Sequence, residues 1–289
     1  MKVLLLGAEG QVGRELRDTT PTGITVTAAG HNVLDITDLP ALQQAITEIQ
    51  PDIMINAAAY TAVDKAEDAR ATAFAINADG AANLAILAEE HNIHLIHIST
   101  DFVFDGRQGT PYRPDSPTHP LSVYGSSKRE GERQIVEILG TKALIVRTSW
   151  VYSSYGNNFV KTMLRLMREK TTLNVVADQI GSPTWAKGFA SALWKMVHLQ
   201  LTGIHHWSDA GVASWYDFAQ AIHEEGLNRG LLLRPVTINP IPTALYPTPA
   251  SRPPYSVLDK TATWQALGYT ANHWRISLSN MLQRIGKHG

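Results

Sequence analysis

The chain has 289 residues, of which 44% are hydrophobic and 18% charged, and its formal net charge is −1. This composition supports a hydrophobic core and is not typical of a disordered chain. The sequence has no basic stripe interleaved with aromatic residues, which argues against nucleic acid as a partner. It contains no cysteine, which excludes disulfides, thiolate nucleophiles and cysteine-bound metals.

The N-terminal apolar run is short, because Gly7 and Glu9 interrupt it. It does not have the length or the cleavage pattern of a secretory signal, and no stretch approaches the length of a membrane span. We therefore expect a cytoplasmic protein with no membrane partner.

Short apolar runs alternate with longer amphipathic stretches in the first half of the chain. The apolar runs predict strands at 3–6, 24–28, 52–56, 95–99 and 144–147. The stretches between them predict helices at 12–19, 39–49, 69–91 and 126–139. Strands without polar alternation are typical of a parallel sheet that is covered on both faces. The order predicts an α/β fold, with a Rossmann-type doubly wound parallel sheet in residues 1–150.

The regular alternation of predicted strands and helices ends near residue 150. Helices are predicted at 158–169, 186–198, 215–225 and 274–285, and loop-rich stretches such as the proline-dense 246–256 separate them. We interpret residues 151–289 as a smaller α/β substrate domain over the carboxyl edge of the sheet. It would be partly interleaved with the first domain and return strands or helices to it.

Gly7, Gly10 and Gly13 follow the first predicted strand and open the first predicted helix. Such glycines allow a tight turn, a close approach to a pyrophosphate and close packing of helix against strand. The helix N-terminus then offers backbone amides and a positive dipole to phosphates. A glycine triplet also occurs in ordinary strand–helix turns, but its position within an N-terminal strand–helix–strand unit favours dinucleotide binding.

The region that contacts the adenosine ribose carries no acid after the second predicted strand, where proteins selective for NAD usually have one. Gly30, His31 and Asn32 occupy it. Because no carboxylate repels a 2′-phosphate and His31 could bind it, the sequence favours NADPH over NADH. Asp35 and Ile36 are candidates for adenine contact, and they fit an ordinary helix N-terminal region equally well.

Tyr124 and Lys128 are four residues apart at the start of a predicted helix, so they share one face. Lys128 is expected to lower the pKa of Tyr124 from its usual value of about 10. The phenol would then donate a proton to an alkoxide formed by hydride attack. Thr100 and Asp101 follow a core strand, at the edge where such sheets bind ligands. Together with the glycine loop, these residues predict a dehydrogenase-type site.

At this point the sequence resembles the extended short-chain dehydrogenase/reductase family, and within it the reductases of dTDP-linked 4-keto sugars. The resemblance extends over nearly the whole chain. It is carried by GAEGQVG (7–13), PDIMINAAAYTAVDKAE (51–67), STDFVFDG (99–106), PLSVYGSSKREGE (120–132), RTSWVY (147–152), GNNFVKTMLRLMRE (156–169), DQIGSPT (178–184) and YPTPASRP (246–253). The resemblance implies reduction of the 4-keto group of dTDP-4-dehydro-L-rhamnose with NADPH or NADH.

The resemblance also implies roles for individual residues. Thr100, Tyr124 and Lys128 match the catalytic triad of the family. The implied cofactor contacts are Gly10, Gln11, Val12, Ala57, Ala58 and Tyr60. Asp101 and Trp150 match sugar contacts, and Asn158 and Arg252 would reach the nucleotide-sugar. The forked guanidinium of Arg252 suits a diphosphate. Trp150 could equally be a core tryptophan, and Arg252 a solvated loop arginine.

Related activities are partly excluded. Sugar-nucleotide dehydratases carry Glu where this chain has Phe102, and epimerase-reductases of the GDP-fucose type use a cysteine. A nucleotide-sugar epimerase, or a cofactor-binding regulatory subunit of another enzyme, stays open.

No metal-ligand residues are predicted in this chain, and a dependence on Mg²⁺ stays open. His94 and His97 should point to opposite faces of their strand. Some relatives form dimers bridged by Mg²⁺, but no carboxylate cluster near the C-terminus supports a metal here. A homodimer stays open.

Overall fold

The computed structural model describes residues 1–286. The strands are β1 (Lys2–Leu6), β2 (Thr25–Ala29), β3 (Ile53–Asn56), β4 (His94–Thr100), β5 (Leu144–Thr148), β6 (Val151–Tyr152), β7 (Thr172–Val176), β8 (Ile180–Gly181), β9 (Thr184–Trp185), β10 (Gly203–His206), β11 (Ala213–Ser214) and β12 (Thr237–Ile241). The α-helices are α1 (Gln11–Asp18), α2 (Leu39–Ile49), α3 (Val63–Asp68), α4 (Arg70–Phe74), α5 (Gly80–Glu90), α6 (Val123–Leu139), α7 (Phe159–Glu169), α8 (Ala186–His198), α9 (Trp215–Asn228), α10 (Thr261–Leu267) and α11 (Trp274–Gly286).

Six parallel strands form the central sheet, in the order β10-β5-β4-β3-β1-β2. The predicted Rossmann-type fold is therefore confirmed. The chain winds outward from β1 in both directions, to β2 on one side and to β3 on the other. The crevice at the carboxyl end of β1 is the topological switch point at which such sheets bind ligands. The glycine loop follows β1 directly.

Strand residues alternate between two cores because successive side chains point to opposite faces of a sheet. Val3 and Leu5 pack on the face covered by α8. Leu4 and Leu6 pack on the face covered by α2, α5 and α6. All four side chains are fully buried, and such burial stabilises a protein by about 1.5–3 kcal/mol for each leucine.

The second half of the chain returns to this sheet through β10 and α8. β10 pairs with β5 and forms one edge of the sheet. α8 packs against α1, and the indole N–H of Trp194 donates to the carbonyl of Leu16 at 3.1 Å. A separate core lies among α7, α9 and α11, beside the parallel pair β7 and β12. The domain boundary at residue 150 stays a prediction.

The helix predicted at 69–91 is confirmed, but it is longer and more apolar than the expectation about membrane spans allowed. α4 and α5 join through a π-helical turn, Ala75–Asp79, to give a continuous helix Arg70–Glu90 of 21 residues. By length and mean hydropathy of 1.2 it could cross a membrane, so the expectation that no stretch approaches that length was wrong. Here α5 packs against the sheet and α6, with Ala81, Leu84 and Ala85 fully buried.

Candidate functional site

The glycine loop lies directly against the end of β3. Gly7 has φ +74°, and a Cβ atom there would come within 2.6 Å of the carbonyl oxygen of Ala57. A Cβ on Gly13 would collide with the backbone of Gly7 and Ala8. Only glycine permits both approaches. The structure thus brings the loop together with Ala57 and Ala58, as the sequence predicted for a cofactor groove.

Gln11 and Asn158 join the glycine loop to the second half of the chain. The Asn158 amide donates to Gln11 Oε1 at 2.9 Å and to the carbonyl of Ser153 at 2.7 Å. Its oxygen caps the N-terminus of α7 by accepting from Lys161 N at 3.1 Å. These contacts give Asn158 a structural function beside the loop, and its predicted contact with substrate stays a prediction. Val12 packs on the core beneath the loop.

The residues predicted to contact the adenosine half of the cofactor differ in their exposure to solvent. His31 is 76% exposed and lies 3.4 Å from Asp35. Asp35 accepts from the backbone N–H and the hydroxyl of Thr37, both at 2.9 Å, as in a turn that precedes a helix. Ile36 is buried against Gly80. Contact of these residues with the cofactor stays a prediction.

An acid does lie beside the end of β2, and the sequence reasoning missed it. Cγ of Glu9, from the glycine loop, lies 3.0 Å from the position that a Cβ on Gly30 would take. Its carboxylate pairs with Arg14 at 2.8 Å and Arg17 at 3.1 Å. This acid comes from the loop after the first strand, whereas the sequence pattern predicts it after the second strand.

Thr100, Asp101 and Tyr124 converge at the carboxyl end of β4. The N-terminus of α6 reaches this edge because Gly125 has no Cβ, which would collide with the carbonyl of Phe102. The Phe102 ring packs edge-on against Tyr124, with 5.7 Å between ring centroids. The Thr100 hydroxyl donates to the Asp101 carboxylate at 3.2 Å, and it lies near enough to Tyr124 to affect the pKa of the phenol. Two members of the predicted triad, Thr100 and Tyr124, therefore lie together with Asp101 at this edge, and their catalytic role stays a prediction.

The expected electrostatics of Tyr124 were wrong. Burial raises the pKa of Tyr124 to about 12, although the Thr100 hydroxyl opposes this and the charge of Asp101 adds to it. Burial likewise lowers the pKa of Lys128 to about 8. The Lys128 amine lies 2.8 Å from the carbonyl of Ile98 and 3.0 Å from His97 Nε2. The amine is thus held by β4, so it does not lower the pKa of the phenol.

The pKa of Asp101 is also shifted from its ordinary value. Burial raises its pKa to about 7, and the hydroxyls of Ser256 and Thr100 act in the opposite direction. An acid of this kind is partly protonated near neutral pH, so it can either donate to or accept from a substrate hydroxyl.

Asn77 is a positioning residue that sequence reasoning missed. It lies in the π-helical turn between α4 and α5. Its oxygen accepts from Tyr60 N at 2.8 Å, and its amide donates to the carbonyl of Tyr60 at 3.0 Å and to Ser127 Oγ at 2.9 Å. Tyr60, predicted to line the cofactor groove, is thereby fixed to α6. The 3.6-residue periodicity gave no signal of the π turn, which is often found at functional sites.

Trp150 stacks on Trp215, with ring centroids 3.5 Å apart. Its φ of +47° is unusual for a bulky side chain and costs conformational energy. Gly181 accommodates the indole, since a Cβ there would lie 2.6 Å from it. Trp150 is only partly buried, so it is not a simple core residue. Sequence reasoning did not identify Trp215.

Arg252 ties the loop of residues 246–253 to α3. Its guanidinium forms two parallel hydrogen bonds with the Asp64 carboxylate, at 3.0 and 2.8 Å, and a further one with Thr248 Oγ1 at 2.6 Å. The reading of Arg252 as a solvated loop arginine was therefore wrong. Its contact with a diphosphate stays a prediction, and in this structure it would compete with Asp64.

No group of three or more potential metal ligands occurs within residues 1–286. His97 is buried and bonds Asn56 and Lys128, while His94 lies half-buried at the start of β4. Part of the C-terminal segment discussed for a metal, residues 287–289, lies outside the described residues.

Known proteins resemble this chain over nearly its full length. The family model described as the RmlD substrate binding domain matches residues 1–286. The dTDP-4-dehydrorhamnose reductase of Aggregatibacter actinomycetemcomitans is 42% identical, over 97% of this chain and 98% of that protein. The enzyme of the same name from Escherichia coli (strain K12) is 38% identical, over 99% and 98% respectively.

Solved structures agree with this result. The dTDP-4-dehydrorhamnose reductase of Bacillus anthracis, solved in complex with NADP, has a TM-score of 0.92 at 37% identity, covering 98% of this chain and 99% of that one. A UDP-glucose 4-epimerase of Thermus thermophilus has a TM-score of 0.84 at 19% identity, covering 99% of each chain, and shows the fold alone.

Proposed function

Because this chain belongs to the dTDP-4-dehydrorhamnose reductase family, we propose that it reduces the 4-keto group of dTDP-4-dehydro-L-rhamnose to give dTDP-L-rhamnose. It is an NAD(P)H-dependent oxidoreductase with a Rossmann-type fold. The observation that carries the proposal is the convergence of Thr100, Asp101 and Tyr124 at the carboxyl end of β4.

The groove fits a nicotinamide dinucleotide. Gly7 leaves a cradle against Ala57 that a Cβ would fill, and the N-terminus of α1 follows with its free backbone amides. From there the contacts continue through Tyr60 and Asn77 to Ser127 on α6. Bound in this groove, the cofactor supplies a hydride to the substrate carbonyl carbon.

The chain's own residues handle the oxygen of the substrate. Thr100 offers a hydroxyl to hold the carbonyl oxygen, and Tyr124 donates its phenolic proton to that oxygen as it becomes an alkoxide. The pKa of about 12 keeps Tyr124 protonated at neutral pH, as a proton donor must be. Lys128 lies one turn away on the same face of α6, where it can return a proton to the tyrosine.

The remainder of the substrate would lie over the second half of the chain. The Trp150–Trp215 stack offers an apolar surface to the sugar, and Arg252 offers a forked donor to the diphosphate. Such remote contacts provide binding energy that orients the ketone for reduction. The nucleotide base, a homodimer and a cytoplasmic location remain predictions.

The test is an assay of NADPH and NADH oxidation by the purified chain, with dTDP- and UDP-linked 4-keto sugars and the free keto sugar as substrates. We expect turnover with the dTDP-4-keto sugar and very poor turnover with the free sugar. Equal efficiency with the free sugar would contradict the proposal. Cofactor binding without turnover on any sugar would favour a regulatory subunit, and interconversion of sugars without net oxidation of cofactor would favour an epimerase.

A further inference from the structure

Asn56, His97 and Lys128 form a buried chain of hydrogen bonds beneath the candidate site. Asn56 and His97 are partners across β3 and β4, and Lys128 reaches down from α6. Asn56 Nδ2 lies 3.1 Å from His97 Nδ1, and His97 Nε2 lies 3.0 Å from Lys128 Nζ. All three residues are at most 2% exposed. Their polar groups must therefore satisfy one another.

A backbone amide fixes the direction of this chain. The N–H of Ala58 donates to Asn56 Oδ1 at 3.0 Å, so the amide oxygen of Asn56 faces Ala58 and its NH₂ group faces His97. His97 Nδ1 must then accept. A neutral imidazole that accepts at Nδ1 carries its proton on Nε2. Burial holds the pKa of His97 well below its ordinary value.

The His97 Nε2–H therefore points at the Lys128 amine. Only a neutral amine has a lone pair to accept it, and that amine can still donate to the Ile98 carbonyl at 2.8 Å. An ammonium group would set one N–H against another. Glu132, the acid facing Lys128 from its own helix, already binds Arg147 at 2.8 Å and Ser99 at 2.5 Å. The charge of Glu132 still favours the ammonium form of Lys128, but among the described residues no carboxylate accepts a hydrogen bond from the Lys128 amine.

We propose that His97 is a positioning residue for the reduction, which holds Lys128 against β4 as a neutral amine and releases it when Lys128 is protonated. The inference rests on the proposed function, in which Lys128 serves Tyr124. The released ammonium gives one proton to the Tyr124 phenolate after Tyr124 has protonated the substrate oxygen. The neutral amine then returns to His97 and is reprotonated from solvent. His97 passes on no proton itself, because Asn56 cannot supply one to Nδ1.

The tautomer of His97 tests the inference without any turnover. In the full-length chain without cofactor, long-range ¹H–¹⁵N correlation spectra of ¹⁵N-histidine-labelled protein distinguish the two neutral tautomers from imidazolium. The spectrum of His97→Gln assigns the His97 signals. We expect the Nε2–H tautomer to persist between about pH 6 and about pH 9, the range in which a free imidazole would titrate or be neutral. A proton on Nδ1, or an imidazolium at neutral pH, would overturn the inference.

Asn56→Asp reverses the hydrogen bond while it preserves the shape of the side chain. A carboxylate facing Nδ1 should move the imidazole proton to Nδ1, so that Nε2 becomes an acceptor for ammonium. Lys128 should then stay protonated to higher pH. The activity falls at high pH because Lys128 loses its proton. In Asn56→Asp this fall should occur about one pH unit higher, which corresponds to a tenfold increase in the proton affinity of Lys128. The readouts are the tautomer and the basic limb of kcat/KM.

His94→Gln is the matched control, because His94 lies in the same strand and does not contact Lys128. It should leave the pH profile unchanged. A moved proton in Asn56→Asp with an unmoved basic limb would show that His97 does not govern Lys128. The Nδ1–H tautomer in a chain that reduces the keto sugar would overturn this inference alone. The expected tautomer in a chain that reduces no keto sugar would contradict the proposed function and not the placement of Lys128.

Discussion

Replacing Arg252 with alanine separates two roles that the structure makes possible for this residue. Arg252 could bind the substrate diphosphate, or it could serve only to anchor the loop of residues 246–253 to Asp64 on α3. The ion pair is partly exposed, with side-chain exposures of 22% for Arg252 and 39% for Asp64. Both roles predict that Arg252→Ala weakens kcat/KM, so the size of the effect must decide between them.

The two roles differ in magnitude. A partly exposed ion pair contributes about 0.2–1 kcal/mol, so loss of the anchor alone should lower kcat/KM by less than about sixfold. Loss of a charged hydrogen-bonding partner of the diphosphate should cost about 1.5–3 kcal/mol, or roughly ten- to a hundredfold. Asp64→Asn removes the anchor and retains the guanidinium. We therefore expect a small loss in Asp64→Asn and a much larger one in Arg252→Ala.

The assay is the steady-state kcat/KM for the dTDP-4-keto sugar at saturating NADPH. Arg229→Ala is the control, because Arg229 forms an ion pair of similar exposure with Glu225 on α9, and it should leave kcat/KM unchanged. Equal losses in Arg252→Ala and Asp64→Asn would show that Arg252 only anchors the loop. A silent Arg252→Ala would refute the assignment of a nucleotide-sugar site to this part of the chain.

Three further predictions concern the site. Tyr124→Phe removes the proton donor, so kcat should fall by about 10²–10⁴-fold with cofactor binding nearly intact; near-normal turnover would overturn the mechanism. NADPH should be used at least as well as NADH, and Glu9→Gln should shift the ratio of their dissociation constants further towards NADPH; a preference for NADH above tenfold would contradict this. Gly181→Ala should displace the Trp150 indole and cost about 1–3 kcal/mol of unfolding free energy, with a loss in kcat/KM; an unchanged melting temperature would be inconsistent with this packing.

Five of the six strands of the central sheet, β1 to β5, followed from local pattern. Each buried strand is a short apolar run, and each covering helix has its own apolar face, so periodicity alone located them. α2 and α8 have the predicted bounds. β10 was missed because Gly203–His206 is short and contains two histidines. It becomes an edge strand only through pairing with β5, which local sequence does not encode.

The Tyr124–Lys128 pair and the glycine loop could likewise be identified from sequence, because i and i+4 spacing on a helix and glycine spacing in a turn are local properties. The protonation states of the predicted triad could not be identified from sequence. Whether Lys128 faces Tyr124 or His97 depends on how α6 packs over β4. The pKa of Tyr124 depends on burial, which is a property of the folded chain.

The sequence by itself determined the fold class, the glycine loop and the i, i+4 spacing of Tyr124 and Lys128, because these depend on residues that are near neighbours in the chain. Only the tertiary structure decided the partners of those residues. Glu9 lies beside Gly30, Asp64 holds Arg252, and Ala58 sets the tautomer of His97 through Asn56. Each of these arrangements joins segments that are distant in sequence or lie in separate strands. Their hydrogen bonds and charges have definite geometry only after the sheet and its covering helices have packed.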